Sequence, residues 1–381
     1  MPSSPGTIAL LLESDGPGGA ERMFLFLAEE LKNRDWDVVP VLPAPGRGIL
    51  SEDLRKRGFE AEHFTLRGPY DPACWWNLVK VLRRRRVSIA HSHEFSMALY
   101  GTAAARWAGL PHVLTMHGVA RWADRLRRRV ALRWACRSSA FTVGVSRAVT
   151  AALSGRLRLV QDTVRVVPNG VNPLPGDRKP VRSELGLPPE TILVLCLGNL
   201  YPVKGYDVLL RALSGLRSIP VEWHLAIAGR GGEESALREL AAAEGLSGRV
   251  SFLGWRNDVG NLLAAADLFA LPSRSEGHPL ALLDAMHAGL PIVASAVGGI
   301  PDTARDGVEA LLVPREDHAA LAGALHRFFM DPELRARMGH AAARQAAEQF
   351  TVRAMADRYE HLYARALSGR ARGNGGEPSR G

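Results

Sequence analysis

Short apolar stretches alternate with helix-like stretches along most of this chain, and this alternation constrains the fold more than any other feature. Runs such as residues 8–12, 113–116 and 192–197 are short and largely apolar. Short apolar strands separated by helices are typical of a parallel sheet that is covered on both faces. The sequence therefore predicts an α/β protein with two doubly wound, Rossmann-like domains that face each other across a cleft.

The predicted strands form two series, which a chain of 381 residues can divide between two domains. The first series is at residues 8–12, 38–42, 88–90, 113–116, 141–145 and 164–167, and the second is at 192–197, 224–228, 251–253, 268–271, 292–294 and 310–313. Three prolines between Asn172 and Pro180 separate the series. We expect an N-terminal domain at 1–171, a linker at 172–182, a C-terminal domain at 183–350, a helix at 351–367 that packs back on the N-terminal domain, and a disordered tail at 368–381.

Composition excludes several classes of protein. No apolar run reaches the roughly 18–20 residues that a membrane-spanning helix needs, and the N-terminus lacks the basic start of a signal peptide. The three cysteines are far apart in the sequence and form no metal-binding or disulfide pattern. These features predict a cytoplasmic protein.

The positive charge lies in the first half of the chain. Residues 1–180 contain 27 Lys+Arg and 16 Asp+Glu, a net charge of +11, whereas the remainder has a net charge of −2. Much of the excess lies at residues 83–86 and in a predicted helix from Arg121 to Arg137, whose apolar residues recur every four positions at Trp122, Leu126, Val130 and Trp134. This pattern is typical of a surface helix on anionic lipid, at the inner face of the membrane.

Two alternatives remain for this basic helix. It can be a solvated face whose apolar stripe packs on its own domain, or a nucleic-acid patch. No helix-turn-helix, zinc or RNA-binding signature accompanies it, so we expect no nucleic-acid partner.

Residues 272–301 contain the most informative segment for function. Glu276 and Asp284 flank the start of a predicted helix, with Pro279 suited to its first position. The backbone N–H groups after Gly277 would point out of the helix N-terminus, whose partial positive charge favours the binding of phosphate. Asp284 lies roughly 7 Å further along the helix. One anion seat with two acceptors fits a sugar–diphosphate–nucleoside, although an ordinary helix after a Gly-Pro loop would give the same pattern.

Three glycine-rich turns follow predicted strands. They are GPGG at 16–19, GNLYPVKG at 198–205 and AGRGG at 228–232. Lys204 in the second turn supplies a point charge that suits a diphosphate. Each turn alone is compatible with a plain strand–helix connection, but their shared position after strands favours phosphate binding.

Histidines at strand ends are the remaining candidates for chemistry. His91 and His93 could be metal ligands, but no third ligand is indicated nearby, which favours hydrogen-bonding roles. His117 follows the strand at 113–116, at the predicted cleft, where it could contact a substrate hydroxyl. No hydrolase elbow, Walker loop or zinc spacing is present, and we expect no metal.

The order of motifs resembles one known family. GGAER, HGVA, VVPNGVN, GNLYPVKG, FLGW and SEGHPLALLDAM with GGIP occur in the order seen in the GT-B retaining glycosyltransferases of the large family four, from about residue 18 to about residue 350. The resemblance implies transfer of a sugar from a nucleotide-diphosphate sugar to a glycan or lipid-linked acceptor, in cell-envelope or exopolysaccharide synthesis. It implies neither a metal nor a further cofactor.

The resemblance also assigns roles to three catalytic candidates. Lys204 matches the lysine that neutralises the donor diphosphate. Glu276 matches the first acid of the family's Glu-x7-Glu motif, which binds the donor sugar. His117 matches a histidine near the donor sugar.

Further positions are implied to bind the donor. Gly18 and Gly19 match a loop whose amides touch the distal phosphate, and Asp284 occupies the place of the acid that binds the ribose. The phosphate seat would consist of the amides around Gly277, namely those of His278 and Leu280, because Pro279 has no N–H to donate.

Two positions depart from the family pattern. Asn199 stands where the family often has arginine, so Lys204 would carry more of the neutralisation, with Arg230 as a helper. Asp284 is one methylene shorter than glutamate. These departures keep a catalytically weak nucleotide-sugar-binding protein open as an alternative, beside a dinucleotide oxidoreductase and a phosphorylase or epimerase of the same fold.

Overall fold

A computed structural model describes residues 5–68, 70–118, 125–159 and 164–373. The chain divides into two compact units. Unit 1 comprises Met1–Gly170 together with Val352–Gly381, and unit 2 comprises Val171–Thr351.

Unit 1 contains a sheet in which seven strands are described, all of them parallel. Its elements are β1 (Thr7–Leu12), α1 (Gly19–Asn33), β2 (Asp37–Pro43), α2 (Ile49–Lys56), β3 (Glu62–Phe64), α3 (Pro72–Arg84), β4 (Ile89–His93), α4 (Phe95–Trp107), β5 (His112–Met116), α5 (Leu126–Ser138), β6 (Phe141–Gly144), α6 (Arg147–Leu157) and β7 (Val164–Val166). The strand order is β3-β2-β1-β4-β5-β6-β7.

Unit 2 contains a second parallel sheet, with six described strands in the order β10-β9-β8-β11-β12-β13. Its elements are α7 (Arg178–Glu184), β8 (Ile192–Leu197), α8 (Tyr206–Ser214), β9 (Trp223–Ala228), α9 (Glu234–Ala243), β10 (Val250–Gly254), α10 (Val259–Ala265), β11 (Leu268–Leu271), α11 (Leu280–His287), β12 (Ile292–Ser295), α12 (Ile300–Thr303), β13 (Ala310–Val313), α13 (His318–Met330) and α14 (Pro332–Gln349). The last helix, α15 (Val352–Gly373), returns to unit 1.

The predicted α/β class with two doubly wound sheets is confirmed. In each sheet the strand order reverses beside the first strand, between β1 and β4 in unit 1 and between β8 and β11 in unit 2. Ligands of such sheets bind beyond the carboxyl ends of the strands at this reversal. None of the described helices is long and apolar enough to cross a membrane.

Two strands of unit 1 differ from the prediction. β4 runs to His93 and not to residue 90, because its buried residues His91, Ser92 and His93 are polar and give no apolar signal. β3 is absent from the prediction, since only Phe64 of its three residues is buried.

Two helices extend into segments that were predicted to be irregular. Helix α7 begins at Arg178, inside the predicted linker at 172–182, because the Asp177 carboxylate accepts the Lys179 N–H at 2.9 Å and caps the helix. Helix α15 extends to Gly373, six residues beyond the predicted end at 367. The added residues include arginine and alanine, which favour helix, and the helix ends at a glycine.

Hydrogen bonds hold α15 in unit 1. The Trp36 Nε1–H donates to Glu360 at 2.8 Å, and the Arg34 guanidinium contacts Asp357 at 2.6 Å. Tyr359 and Tyr363 of the same helix are fully buried. The helix therefore completes the core of unit 1.

Arg182 organises one side of unit 2. Its buried guanidinium donates to the backbone carbonyls of Pro188 at 2.8 Å and Thr191 at 2.6 Å, and to Asp267 at 3.0 Å. A single side chain thus ties α7 to the ends of β8 and β11.

We expect Arg182→Met to lower the free energy of unfolding of unit 2 by about 3 kcal/mol, because buried carbonyl groups lose their donor. Arg178→Met is the matched control. Arg178 also contacts Asp267, at 2.7 Å, but is largely exposed, so its loss should cost under about 1 kcal/mol. Differential scanning calorimetry measures both, and equal effects would contradict the assigned role.

Candidate active site

Four loops meet at the carboxyl edge of the unit 2 sheet. They follow β8, β9, β11 and β12. Backbone hydrogen bonds join them, from Gly198 N–H to Ala228 O at 3.0 Å and from Leu200 N–H to Arg230 O at 2.9 Å. The loops after β8 and β9 therefore form one connected surface, next to the position where the strand order reverses between β8 and β11.

An ion pair lies on this surface. The Lys204 ammonium contacts the Glu276 Oε1 at 2.7 Å, and the Ser273 hydroxyl donates to the same oxygen at 2.7 Å. The Lys204 side chain is 22% exposed and that of Glu276 is 10% exposed, so both are largely covered but still reach solvent. The structure brings together the two residues that the sequence singled out most strongly.

Two glycines hold the backbone of this pair. Gly205 has φ +66°, and a Cβ atom there would lie 2.1 Å from the Pro272 carbonyl oxygen. Gly298 has φ +53°, and a Cβ atom there would lie 1.7 Å from the Glu276 carbonyl oxygen. Only glycine permits both the conformation and the close approach. The loops carrying Lys204 and Glu276 are thus fixed by direct backbone packing.

Arg274 is a residue of the site that the sequence analysis missed. Its guanidinium binds both oxygens of Asp207, at 2.9 and 2.8 Å, and contacts Glu316 at 2.9 Å and the Pro202 carbonyl. The backbone N–H of Arg274 donates to the Val203 carbonyl at 2.7 Å. Arg274 therefore clamps the short 3₁₀ turn Pro202–Lys204, which ends in Lys204.

The charge of Arg274 also affects its partners. Burial alone would raise the pKa of Asp207, but the hydrogen bonds and charge of Arg274 outweigh it and lower that pKa. The hydrogen bond from Arg274 likewise lowers the pKa of Glu316. Both carboxylates thus stay ionised and keep the clamp closed at neutral pH.

The helix α11 starts one residue later than predicted. Pro279 is its N-cap, with extended backbone, and Leu280 is the first helical residue. The His278 ring is buried, 5.4 Å from the Phe350 ring between centroids. Gly277 lies between Glu276 and this buried ring. The predicted phosphate-binding amides therefore lie in the same loop as Glu276.

Three other predicted positions differ in their access to solvent. Asn199 is partly buried in the loop after β8, where its backbone carbonyl accepts the Tyr201 N–H at 2.9 Å. Arg230 is exposed in the loop after β9. Asp284 lies in the second turn of α11 and is only 4% exposed. Most of the Asp284 side chain is therefore covered by the protein, and its expected role as a ribose acceptor stays a prediction.

Gly18 and Gly19 lie in unit 1, after β1. Gly18 is the N-cap of α1, and Gly19 is its first residue. A Cβ atom at Gly18 would lie 2.3 Å from a carboxylate oxygen of Glu21. The carboxylate of Glu21 therefore lies close to Gly18, at the helix end where the sequence predicted a phosphate contact.

His117 follows β5, is partly buried, and contacts a buried polar network of unit 1. Its Nε2 lies 3.2 Å from the His93 Nδ1. The two ring nitrogens of His91 form hydrogen bonds with Tyr363 at 2.7 Å and Thr115 at 2.8 Å. These contacts agree with the hydrogen-bonding interpretation of His91 and His93. Within the described residues, no group of three or more His, Cys, Asp or Glu is arranged to hold a metal.

Glu94, directly after β4, is a second residue that the sequence analysis missed. It adopts φ +66°, which is a strained conformation for a residue with a side chain. Burial and then the charge of Glu13 raise its pKa to about 7. Glu13 itself accepts the Ser96 N–H at the start of α4. Two carboxylates therefore lie where the strand order of unit 1 reverses.

Comparisons with known proteins agree on one family. A model described as glycosyl transferases group 1 matches residues 177–345, and one described as glycosyltransferase family 4 matches residues 17–173. The chain is 31% identical, over 74% of its length, to D-inositol 3-phosphate glycosyltransferase of Stackebrandtia nassauensis, and covers 69% of that protein. It is 34% identical, over 54% of its length, to the protein of the same name from Saccharomonospora viridis, and covers 51% of it.

A solved structure shares the fold. The crystal structure of Anabaena Alr3699/HepE in complex with UDP and glucose aligns with a TM-score of 0.83, covering 94% of this chain and 99% of that one. The identity is 24%, so this likeness concerns the fold.

The His117 environment predicts acid sensitivity of unit 1. Burial lowers the pKa of His117 to about 4, whereas a histidine in the unfolded chain titrates near 6.5. The unfolded chain therefore binds more protons between these values, and stability is lost as the pH falls from about 6.5 towards 4. Between pH 7 and 5 we expect wild type to lose about 1–2 kcal/mol more than His117→Asn.

Urea unfolding at both pH values measures this difference. The exposed His340 provides the matched control, and His340→Asn should follow the wild-type pH dependence. Identical pH dependence of His117→Asn and wild type would contradict a His117 that stays neutral in the folded protein.

Proposed function

Because the chain belongs to the glycosyl transferases group 1 family, we propose that it transfers a sugar from a nucleotide-diphosphate sugar to a hydroxyl of a glycan or lipid-linked acceptor, with retention of configuration. The single observation that carries this proposal is the Lys204–Glu276 pair at the carboxyl edge of the unit 2 sheet. The UDP and glucose in the Anabaena structure support the class of donor. We propose a role in cell-envelope or exopolysaccharide synthesis on the cytoplasmic side.

Lys204 is proposed to neutralise the donor diphosphate. Its ammonium is a compact charge with three donors, so it can contact a phosphate oxygen while it keeps a hydrogen bond to Glu276. The amides of Gly277, His278 and Leu280 would add donors at the start of α11, with Pro279 unable to contribute. Such fixed donors stabilise charge that develops on a leaving group.

Glu276 is proposed to orient the donor sugar. Both of its described side-chain contacts, to Lys204 and Ser273, use Oε1. We assign Oε2 to a hydroxyl of the sugar, because a carboxylate oxygen accepts such a hydrogen bond well. Lys204 then contacts the diphosphate on one side of the bond that breaks, and Glu276 contacts the sugar on the other side.

The proposed reaction is a front-face substitution. The bond between the anomeric carbon and the diphosphate oxygen breaks first, and its electron pair moves to the diphosphate. The acceptor hydroxyl attacks the same face and gives its proton to the departing oxygen. In this scheme the Lys204 ammonium and the backbone N–H donors stabilise the charge of the leaving group, so a strict requirement for a divalent ion would contradict it.

The remaining positions keep their proposed roles in donor binding. Gly18 and Gly19 would contribute amides to the distal phosphate, and His117 would contact the sugar. Asp284 would bind the ribose through its small exposed fraction.

Asn199 and Arg230 extend the proposed phosphate surface. Their loops are joined by the hydrogen bond between Leu200 N–H and Arg230 O. The exposed Arg230 side chain is proposed to help Lys204, since Asn199 carries no charge.

We expect Lys204→Ala to lower the rate of transfer by about 100-fold or more, because a donor to the leaving group is lost. Glu276→Gln keeps the shape of the side chain but weakens its hold on the sugar and on Lys204, and should also lower the rate severely. Lys179→Ala changes an exposed lysine of α7 and should keep full activity. Transfer is measured with the nucleotide sugar that gives the largest thermal shift in a panel of UDP-, GDP- and ADP-sugars.

Full activity of both Lys204→Ala and Glu276→Gln would overturn the proposed site. Binding of a nucleotide sugar by wild type without transfer to any acceptor would instead favour the alternative, a catalytically weak binding protein. Phosphate-dependent release of a sugar 1-phosphate from a polymer would indicate a phosphorylase.

Arg274 is predicted to act through Lys204 and not on the substrate. Arg274→Met should release the turn at 202–204 and weaken donor binding about tenfold, within the usual range for a lost positioning contact. The conservative Arg274→Lys cannot bind Asp207 with two parallel hydrogen bonds, and should recover only part of the affinity. An unchanged KM for the donor in Arg274→Met would show that the clamp does not position Lys204.

A further inference from the structure

Three neighbouring helices of unit 1 carry an exposed aromatic and basic surface. α4 packs between α3 and α5. A groove of about 800 Å³ is lined by Trp75, Trp76 and Arg83 of α3, by Ala103, Arg106 and Trp107 of α4, and by Trp134 of α5. We call this set of residues, with the outer face of α5, the Trp–Arg surface.

The charge of this surface has one sign. None of the three helices contains Asp or Glu, whereas together they contain nine basic residues: Lys80, Arg83, Arg84, Arg106, Arg127, Arg128, Arg129, Arg133 and Arg137. Within the part of the chain that the structure describes, the acid that pairs with this set is Glu62 of β3, which contacts Arg84 and the adjacent Arg85. Among the described residues, most of the positive charge on these helices has no acidic partner in an ion pair and is thus suited to an anionic ligand.

Large apolar side chains are exposed beside these charges. Trp107 is 58% exposed, Leu126 is 64% exposed and Val130 is 59% exposed. Leu126, Val130 and Trp134 recur at a spacing of four along α5, while the residues that α5 buries are Leu132, Ala135 and Cys136. The apolar stripe that the sequence predicted therefore faces solvent within the described helix, and its first member, Trp122, lies outside the described residues.

The indoles are held by aromatic contacts. Trp75 lies 5.3 Å from Trp107 between ring centroids, in an edge-on arrangement, and 5.8 Å from Trp76. Partly exposed, immobilised indoles beside arginines are typical of the boundary between lipid headgroups and acyl chains.

We propose that the Trp–Arg surface binds an anionic lipid bilayer. The arginines would contact lipid phosphates, and the indoles with Leu126 and Val130 would enter the boundary of the acyl chains. A soluble polyanion would satisfy the arginines but would leave the two aliphatic side chains in water, so a bilayer explains more of the surface. The inference deepens the proposed function, since it places a lipid-linked acceptor beside unit 1, but vesicle binding is measured without sugar transfer.

The charge of the surface is tested by sedimentation of the full chain with vesicles of phosphatidylcholine, with or without phosphatidylglycerol. Wild type should bind only the anionic vesicles, and less at high salt. Arg127→Glu/Arg129→Glu should lower the apparent affinity by about tenfold or more. Arg337→Glu/Arg344→Glu changes the net charge equally on exposed residues of α14, and should bind as wild type does.

The apolar part is tested separately, with the charge unchanged. Leu126→Gln/Val130→Gln should weaken binding at least severalfold, because apolar side chains no longer enter the interface. Tryptophan emission should shift to the blue when wild type binds anionic vesicles, and this shift should be smaller in Trp107→Phe/Trp134→Phe. Circular dichroism establishes that each variant is folded.

Three outcomes would overturn the proposal. They are failure of wild type to bind anionic vesicles, equal loss of binding in the α14 control, and capture by a soluble polyanion such as heparin or nucleic acid with no binding to vesicles. If vesicle binding fails while transfer still depends on Lys204, the membrane surface is wrong and the proposed function stands.

Discussion

The parallel order of the unit 2 sheet is the constraint on which the candidate site depends. Because β8 and β11 are neighbours that point the same way, the loops after them leave the sheet at the same edge. Lys204 and Glu276, 72 residues apart in sequence, are thereby brought to 2.7 Å. Gly205 and Gly298 then fix this distance by backbone contact. The chemistry proposed for the site needs an ammonium and a carboxylate held together before any ligand arrives, and the packing of the loops provides that arrangement.

The fold was largely predictable from the sequence because apolar runs identify buried strands. The failures have physical causes. β4 contains His91, Ser92 and His93, which are buried but polar, so hydropathy revealed the start of the strand and not its second half. Helix α7 starts in a proline-rich stretch because Asp177 caps it, and a cap depends on side-chain geometry as much as on composition.

The candidate site was predictable only in part. Lys204 and Glu276 each lie in a local motif with a recognisable chemistry, and the structure places them in contact. Arg274 has no such motif, because its partners Asp207 and Glu316 lie 67 and 42 residues away and meet it only in the folded chain. The same limit applies to the Trp–Arg surface, where the sequence indicated one helix and the structure added two more.

The return of α15 to unit 1 has a consequence for biosynthesis. Tyr363 and Tyr359 provide the hydroxyls that contact His91 and Thr115 in the centre of the unit 1 sheet. While the ribosome is still synthesising the middle of the chain, these strands lack the helix α15 that contacts them. Unit 2, in contrast, is synthesised as one continuous segment. We therefore expect unit 2 to complete its fold first, although it is synthesised after most of unit 1. Unit 1 can complete its fold only when α15 has left the ribosome.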